Sequence, residues 1–406
     1  MNRASGSGNG SGGRGDAYGR RGGANLPALR GHNDALVLDL LRAAGPAGLG
    51  RAELAARTGL TPQAVSKITA RLSVEGLVAE AGRAASTGGK PRTLLRLVPD
   101  VRHAVGVQLD RDELRAVRVD LAGRVVAESS GPLDFGTGPE AAVEAVVRAV
   151  ARVGAPSGLP PLGVGVAAPG PLDHRAGVMG RVTGYPSWKD FPLRGVLEGR
   201  LGLPVLLDKD TNAGAAAAAG AWLRAAWPDP DADGDADTGP DTGPDTDTEP
   251  GAGGYAGSGP RTCVYLHVGT GLGAGLWLGG GVYRGVRSAA GEFGHQVLLL
   301  DGPPCRCGAR GCVEVLCLEA VARGDLPGAA RILGEAAANL VALLDVDRVL
   351  LGGRVVAAAP DVFVSGVGAV LAARALDPAR PVVALAGAGV AEGAAEMVLA
   401  PLFGRE

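Results

Sequence analysis

Four residues able to bind a soft metal ion stand within 18 positions of one another: His295, Cys305, Cys307 and Cys312. Three thiolates and one imidazole complete a closed tetrahedral zinc shell. The Cys305-Arg306-Cys307 spacing lets a tight knuckle present both sulfurs. Gly308 and Gly311 let the loop fold back so that Cys312 reaches the same ion. With all four positions filled by protein, such a zinc would be structural and not catalytic. Buried free thiols are the alternative, and Cys263 and Cys317, which stand outside the pattern, are expected to be core residues. Upstream lies Gly269-Thr270-Gly271-Leu272-Gly273, a glycine loop whose backbone N–H groups can be directed at phosphate.

The segments around these residues read as an α/β protein. Residues 103–109 and 114–120 form paired strands around Asp110–Glu113. Leu162–Ala168 reads as a strand ending at Pro169-Gly170, and Pro204–Leu207 as another, followed by an Ala-rich helix from about Asn212. Thr262–Val268, Gly273–Leu278 and Val349–Leu351 continue the set.

The N-terminal part has a different pattern. Leu36, Val37, Leu40 and Leu41 place a helix over Asn33–Ala43. Arg51–Thr58 is a short second helix with Leu54 and Ala55 facing inward, ended by Gly59, which tolerates the left-handed conformation. Thr61 offers an N-cap and Pro62 sits at the first position of a third helix, which runs to about Leu72 with Val65, Ile68 and Leu72 buried. Two helices around a short Gly-containing turn are the helix-turn-helix pattern. Leu77–Glu80 and Thr93–Leu97, joined by a basic Gly-rich tip, read as a two-stranded wing. Candidate DNA contacts are Thr61, Gln63, Ser66, Lys67 and Arg71 on helix three, with Arg83, Lys90 and Arg92 on the wing. The alternative is a helical bundle for protein contact.

Charge supports a nucleic-acid partner. The net charge is −2, but residues 1–100 carry 14 Lys+Arg against 7 Asp+Glu, whereas the remainder carries 26 against 35. Residues 1–30, Gly- and Ser-rich with almost no apolar side chains, are expected to be a disordered tail. Domain boundaries follow at 31–98 and 99–406, with 228–260 an acidic low-complexity insertion: it holds nine carboxylates between Asp229 and Glu249 and no basic residue among them. No signal peptide is recognised and no apolar run approaches the roughly 20 residues of a membrane span, so a cytoplasmic protein is expected.

Taken in order, Gly269–Gly273, Ala290-Gly291-Glu292-Phe293-Gly294-His295 and the Cys-x-Cys-Gly-x-x-Gly-Cys-x-Glu run resemble the ROK family (repressors, open reading frames and kinases), specifically members with a winged helix-turn-helix in front. The resemblance covers about residues 30–385 apart from the acidic insertion. It implies a two-lobed, actin-like ATPase fold with a sugar in the cleft. By position, Asp210 matches the family's catalytic base, and Glu292, His295 and Glu314 its sugar-hydroxyl ligands. His295, Cys305, Cys307 and Cys312 match its zinc ligands. Gly269, Thr270, Gly271 and Gly273 match the second phosphate loop, and Gly352-Gly353 the adenosine loop. A carboxylate beside a sugar hydroxyl can accept its proton during phosphoryl transfer, and zinc would hold His295 and Glu314 in place.

Two departures bear on activity. Kinases of the family carry Asp-x-Gly-Gly-Thr at the first hairpin; this chain has Gln108-Leu109-Asp110-Arg111-Asp112-Glu113. Asp110, Asp112 and Glu113 stand where a triphosphate would sit, and like charges at close range cost on the order of 1 kcal/mol even in a solvated cleft. ATP and Mg are therefore not expected as cofactors. Lys209 replaces the Asn usually found beside the catalytic Asp, and is expected either to pair with Asp210 or to favour an anionic effector. The sequence thus points to a sugar-responsive DNA-binding regulator, a repressor acting as a homodimer or higher homo-oligomer on a pseudo-palindromic site. The rivals are an active glucokinase-like sugar kinase with an added DNA-binding domain, and a zinc-stapled DNA-binding protein without a ligand.

Overall fold

The computed structural model describes residues 26–83, 92–154, 160–225, 262–375 and 381–405. Residues 1–25, the wing tip with Lys90, and the acidic insertion lie outside the described residues, as does the side chain of Arg83.

The chain begins with α1 (Leu26–Ala44), β1 (Leu49–Gly50), α2 (Arg51–Thr58), α3 (Pro62–Val74), β2 (Val78–Arg83) and β3 (Thr93–Leu97). The expected helix over Asn33–Ala43 is thus the later part of a longer one. A start near residue 31 is corrected: Leu26-Pro27-Ala28-Leu29 carry helix-compatible residues after the Gly-rich run, and Pro27 falls in the first turn, where it is tolerated. α2 ends at Gly59 in the left-handed region (φ 69°), and Thr61 caps α3 by accepting from the Ala64 amide at 3.2 Å. The wing strands pair antiparallel, and β1, too short to show a period in sequence, adds a third strand beside β3. Val65, Ile68 and Leu72 are buried as the apolar stripe predicts.

Two sheets follow. The first is built from β4 (His103–Leu109), β5 (Glu113–Asp120), β6 (Val125–Pro132), and, after α4 (Pro139–Val153), β7 (Val164–Ala168). A small ribbon of β8 (Leu172–Asp173) and β9 (Val178–Met179), then α5 (Leu193–Leu201), precedes β10 (Val205–Lys209) and α6 (Asp210–Ala225). The second sheet comprises β11 (Cys263–Val268), β12 (Leu272–Leu278) and β13 (Gly281–Val282). After α7 (Val313–Ala322) and α8 (Leu326–Leu344) it gains β14 (Arg348–Gly352). It is completed, after α9 (Arg354–Ala358) and α10 (Pro360–Arg374), by β15 (Val382–Leu385). The strand orders are β10-β7-β4-β5-β6 and β13-β12-β11-β14-β15. In each lobe the first strand hairpins into the second and third, and runs parallel to the fourth and fifth. The same topology is used twice, which is the two-lobed, actin-like arrangement.

The last helix, α11 (Val390–Leu399), does not stay with the second sheet. It packs on β4, β7 and α6 of the first lobe. A helix can lie this close to a sheet only where side chains are missing: a Cβ on Gly106 would stand 1.9 Å from the Ala391 carbonyl oxygen, and one on Gly165 1.9 Å from that of Ala394. Among the described residues no helix is long and apolar enough to cross a membrane.

The Gly165→Ala variant is expected to lose about 3 kcal/mol or more of stability, because backbone must move on both sides. Gly131→Ala on β6, where nothing lies within 4 Å of the new methyl, should change stability by no more than about 0.5 kcal/mol. Denaturant midpoints of the two variants check this, and equal midpoints would contradict the close approach.

Candidate functional site

A cleft between the lobes is lined by Pro169, Lys209, Asp210, Thr211, His267, the Gly269–Gly273 loop, Glu292, His295 and Glu314. Local folding explains the gathering. β10 delivers Lys209, and α6 begins at once with Asp210, whose Oδ1 accepts the Thr211 amide at 2.6 Å. β11 turns into β12 through the glycine loop, and the 3₁₀ turn Phe293–His295 carries Glu292 at its N-cap and His295 at its end. α7 carries Glu314 in its first turn. The predicted cleft residues are therefore brought together.

Their partners differ from expectation. Lys209 is buried and does not pair with Asp210: its Nζ donates to Glu292 Oε1 at 2.7 Å and to the Ala290 carbonyl at 2.8 Å. Neighbouring residues at a strand end point to opposite sides, which sends Lys209 toward Glu292 and leaves Asp210 on the cleft floor. Burial raises the Asp210 carboxyl above its ordinary pKa, against the pull of His267, the Thr211 amide and Lys209. Glu314 Oε2 accepts the Leu272 amide at 3.0 Å, so one N–H of the glycine loop is already occupied.

The carboxylates Asp110 and Asp112 of the first hairpin have partners within the protein. Asp112 pairs with Arg354 at 2.8 Å. Asp110 accepts its neighbour's amide (Arg111 N, 2.7 Å) and the Thr270 hydroxyl. Arg111 Nη1 donates to the Thr270 carbonyl at 3.0 Å. The tip of β4–β5 is thus bonded across the cleft to the second lobe, and Arg354 offsets the charge of the hairpin carboxylates. Gly352 and Gly353 follow β14; a Cβ on Gly352 would meet the Tyr265 ring and one on Gly353 the Val268 backbone, so packing accounts for both glycines.

Sequence reasoning missed His267, Thr211, Arg111 and Arg354. His267 is 8% exposed, its Nδ1 is 3.0 Å from the Tyr265 hydroxyl, and it lines the cleft. A histidine inside the apolar run Cys263–Val268 was the available signal. The Thr211 hydroxyl is buried without a hydrogen-bond partner among the described residues.

The metal-ligand cluster forms as predicted. One ligand atom each from His295, Cys305, Cys307 and Cys312 lies within 4.8 Å of every other. Cys307 Sγ is 3.7 Å from Cys312 Sγ, and Cys305 Sγ is 3.8 Å from His295 Nδ1. Ligands at 2.3 Å around a tetrahedral ion stand about 3.8 Å apart, so the four fit a metal ion. The knuckle is closed by Cys305 N to Ala309 O at 2.8 Å and Gly308 N to Cys305 O at 3.0 Å. Cys263 and Cys317 are core residues, their thiols pushed up to about 12 by burial.

On the N-terminal unit, Gln63, Ser66 and Lys67 are exposed along the early part of α3, and Arg92 is exposed at the base of the wing. Two of the expected contacts are partly spent within the protein. Ser66 Oγ donates to the Pro62 carbonyl at 2.8 Å, and Arg71 forms an ion pair with Asp34 on α1.

The ROK family model matches residues 254–322. The xylose repressor of Bacillus subtilis is 26% identical over 276 residues, which cover 67% of this chain and 62% of that repressor. The chain therefore spans about three fifths of the length of the curated repressors it matches. A glucokinase of Streptomyces coelicolor is 31% identical over 214 residues, covering 52% of this chain and 54% of the kinase. Among solved structures, a ROK family transcriptional regulator homologous to the E. coli MLC protein superposes with a TM-score of 0.67, covering 92% of this chain and 97% of that one. At 18% identity that likeness shows the fold alone. Residues 254–322 thus carry the ROK family match, and beyond them the chain is similar in sequence to a xylose repressor and a glucokinase and in fold to a ROK family regulator.

Proposed function

We propose that this chain is a sugar-responsive DNA-binding transcriptional regulator, a repressor whose kinase-like lobes sense the sugar and whose winged helix-turn-helix binds DNA in the cytoplasm. The observation that carries the reading is the union in one chain of a capped, winged helix-turn-helix with a sugar-kinase-like cleft. Xylose repressors among the relatives make D-xylose the first effector to test. A symmetric dimer would present two α3 helices to a pseudo-palindromic site. A sugar that binds the DNA-competent and DNA-incompetent forms unequally would shift the population between them.

DNA contact is assigned to Gln63 and Lys67 on α3 and to Arg92, with Thr61 capping the helix; Arg83 and Lys90 are further proposed wing contacts. Replacing Lys67 or Arg92 by Ala is expected to weaken binding several-fold and to lower the slope of log affinity against log salt by about one unit for each lost phosphate contact. Electrophoretic mobility shift across a salt series checks this; unchanged slopes in both variants would remove the assignment.

The ion proposed for His295, Cys305, Cys307 and Cys312 is zinc, in a structural role. It would fix the loop that carries His295, and with it the start of α7 that carries Glu314. Chelation is expected to lower the melting temperature of the protein by several degrees and to release one metal equivalent per chain. A melting curve indifferent to chelator would contradict the site.

The second reading, an active sugar kinase, is favoured by Asp210 at the head of α6 and by the glycine loop. Against it stand the Arg111–Thr270 and Asp112–Arg354 contacts, which tie the first hairpin, where the resemblance puts the phosphates, to the second lobe. Phosphoryl transfer needs positioning and charge neutralisation of the phosphates. No ADP release above background is expected with ATP, Mg and a hexose or pentose panel. Turnover that disappears in Asp210→Asn would establish the kinase.

A further inference from the structure

α11 touches three bodies at once. Toward the cleft, a Cβ on Gly393 would stand 1.8 Å from the Ala213 carbonyl oxygen, so α11 meets the backbone of α6 one turn beyond Asp210. Toward the first sheet it is held at Gly106 and Gly165, and by a bidentate pair from Arg115 on β5 to Glu392, both bonds 2.7 Å. Toward the N-terminal unit, Glu396 accepts both terminal nitrogens of Arg42 on α1, at 2.6 and 2.7 Å. The Arg42 side chain is 1% exposed. Its guanidinium lies 4.4 Å over the Phe403 ring, in the turn that follows α11, and fits against Gly123, where a Cβ would come within 2.7 Å of it. Arg405 pairs with Asp39 on the same face of α1 at 2.6 Å. Ala391, Ala395, Leu399 and Phe403 share one apolar core with Val37, Leu38 and Leu41 of α1 and with Val65 and Ile68 of α3.

A buried arginine is an expensive way to join two units. Removing a guanidinium from water costs several kcal/mol before its partner restores any of it, and Arg42 Nε has no acceptor among the described residues. Apolar side chains of similar volume would be buried as favourably, but without fixing the angle between the units they would couple their unfolding less tightly. What the ion pair adds is direction: a bidentate carboxylate fixes the angle and register of α1 on α11 as a greasy contact does not.

We infer that the Arg42–Glu396 clasp makes α11 the rigid link through which the occupancy of the cleft reaches the DNA-binding unit. Arg42 and Glu396 are its positioning residues. The inference rests on the regulator reading for the meaning of the signal, but not for the existence of the link. A ligand that shifts Lys209 and Asp210 shifts the head of α6. Because α6 and α11 are in backbone contact, α11 follows, and the clasp turns that displacement into a reorientation of α1 and the α3 it packs against.

The test uses the 406-residue chain and the paired replacement Arg42→Met with Glu396→Met, which keeps the volume and removes both charges together, so that no buried charge is stranded. Calorimetry is read first. In the wild type the N-terminal unit and the first lobe are expected to unfold in one transition, and in the paired variant in two. One shared transition in both proteins would overturn the link. DNA affinity is then measured with and without D-xylose. The paired variant is expected to bind DNA within threefold of wild type while the effect of xylose falls from tenfold or more to under twofold. A variant that is as xylose-responsive as wild type would also overturn it. If wild type ignores xylose, or does not bind DNA, the regulator reading with that sugar fails while the calorimetry still decides the clasp.

Discussion

Backbone can meet backbone only where Cβ atoms are absent, and Gly106, Gly165 and Gly393 mark the places where α11 meets β4, β7 and α6 in that way. These contacts carry little energy of their own. Their consequence is geometric: with no side chains between them there is no compliant layer, and protein interiors packed to crystal density transmit displacement instead of absorbing it. The final helix of the chain is therefore fixed to the first sheet and to the helix that begins with Asp210. The N-terminal unit is in turn fixed to that final helix by the Arg42–Glu396 pair. The termini of the described chain thus meet on the first lobe, and the cleft, the sheet and the N-terminal unit are parts of one continuous framework.

The cleft itself shows how a kinase-like frame can be retained with changed contents. The glycine loop after β11 is present, but the Leu272 amide is taken by Glu314 and the Thr270 carbonyl by Arg111. Lys209 holds Glu292, a carboxylate the family resemblance assigns to sugar binding. These are charge-assisted hydrogen bonds, and a ligand that takes these groups has to replace or reorganise them. If the cleft takes a sugar, as proposed, its selectivity would come from what that sugar offers Lys209, Glu292 and His295 in exchange. The metal-ligand cluster lies next to this exchange, since His295 belongs both to the cluster and to the cleft lining.

Much of this was legible in the sequence, for reasons that differ by element. The caps at Gly59 and Thr61, the buried stripe Val65–Ile68–Leu72 and the Cys305–Cys312 knuckle are local devices, written within a few residues and read there. Strand β6 was not legible because it is an edge strand with Val125 and Val126 both 41% exposed, so its burial pattern is weak. β1 spans only two residues. The partners of charged residues were the least readable feature. Asp112 finds Arg354 across 242 positions and Arg42 finds Glu396 across 354, and nothing local signals either pair. The expected Lys209–Asp210 pair gave way to Lys209–Glu292 for the same reason. α1 starts earlier than the Gly-rich composition of residues 1–30 suggests, because the last five of them, Leu26–Arg30, are of another kind.

In the proposed function a kinase-like cleft controls a DNA-binding unit. Fluorescence anisotropy on DNA from upstream of the gene that encodes this chain, against scrambled DNA and across a salt series, tests it most directly when D-xylose is titrated into the same sample. The account predicts preferential binding to the upstream fragment with a steep salt dependence, and release as the sugar is added. Equal affinity for scrambled and upstream DNA at every salt concentration, untouched by sugar, would contradict it.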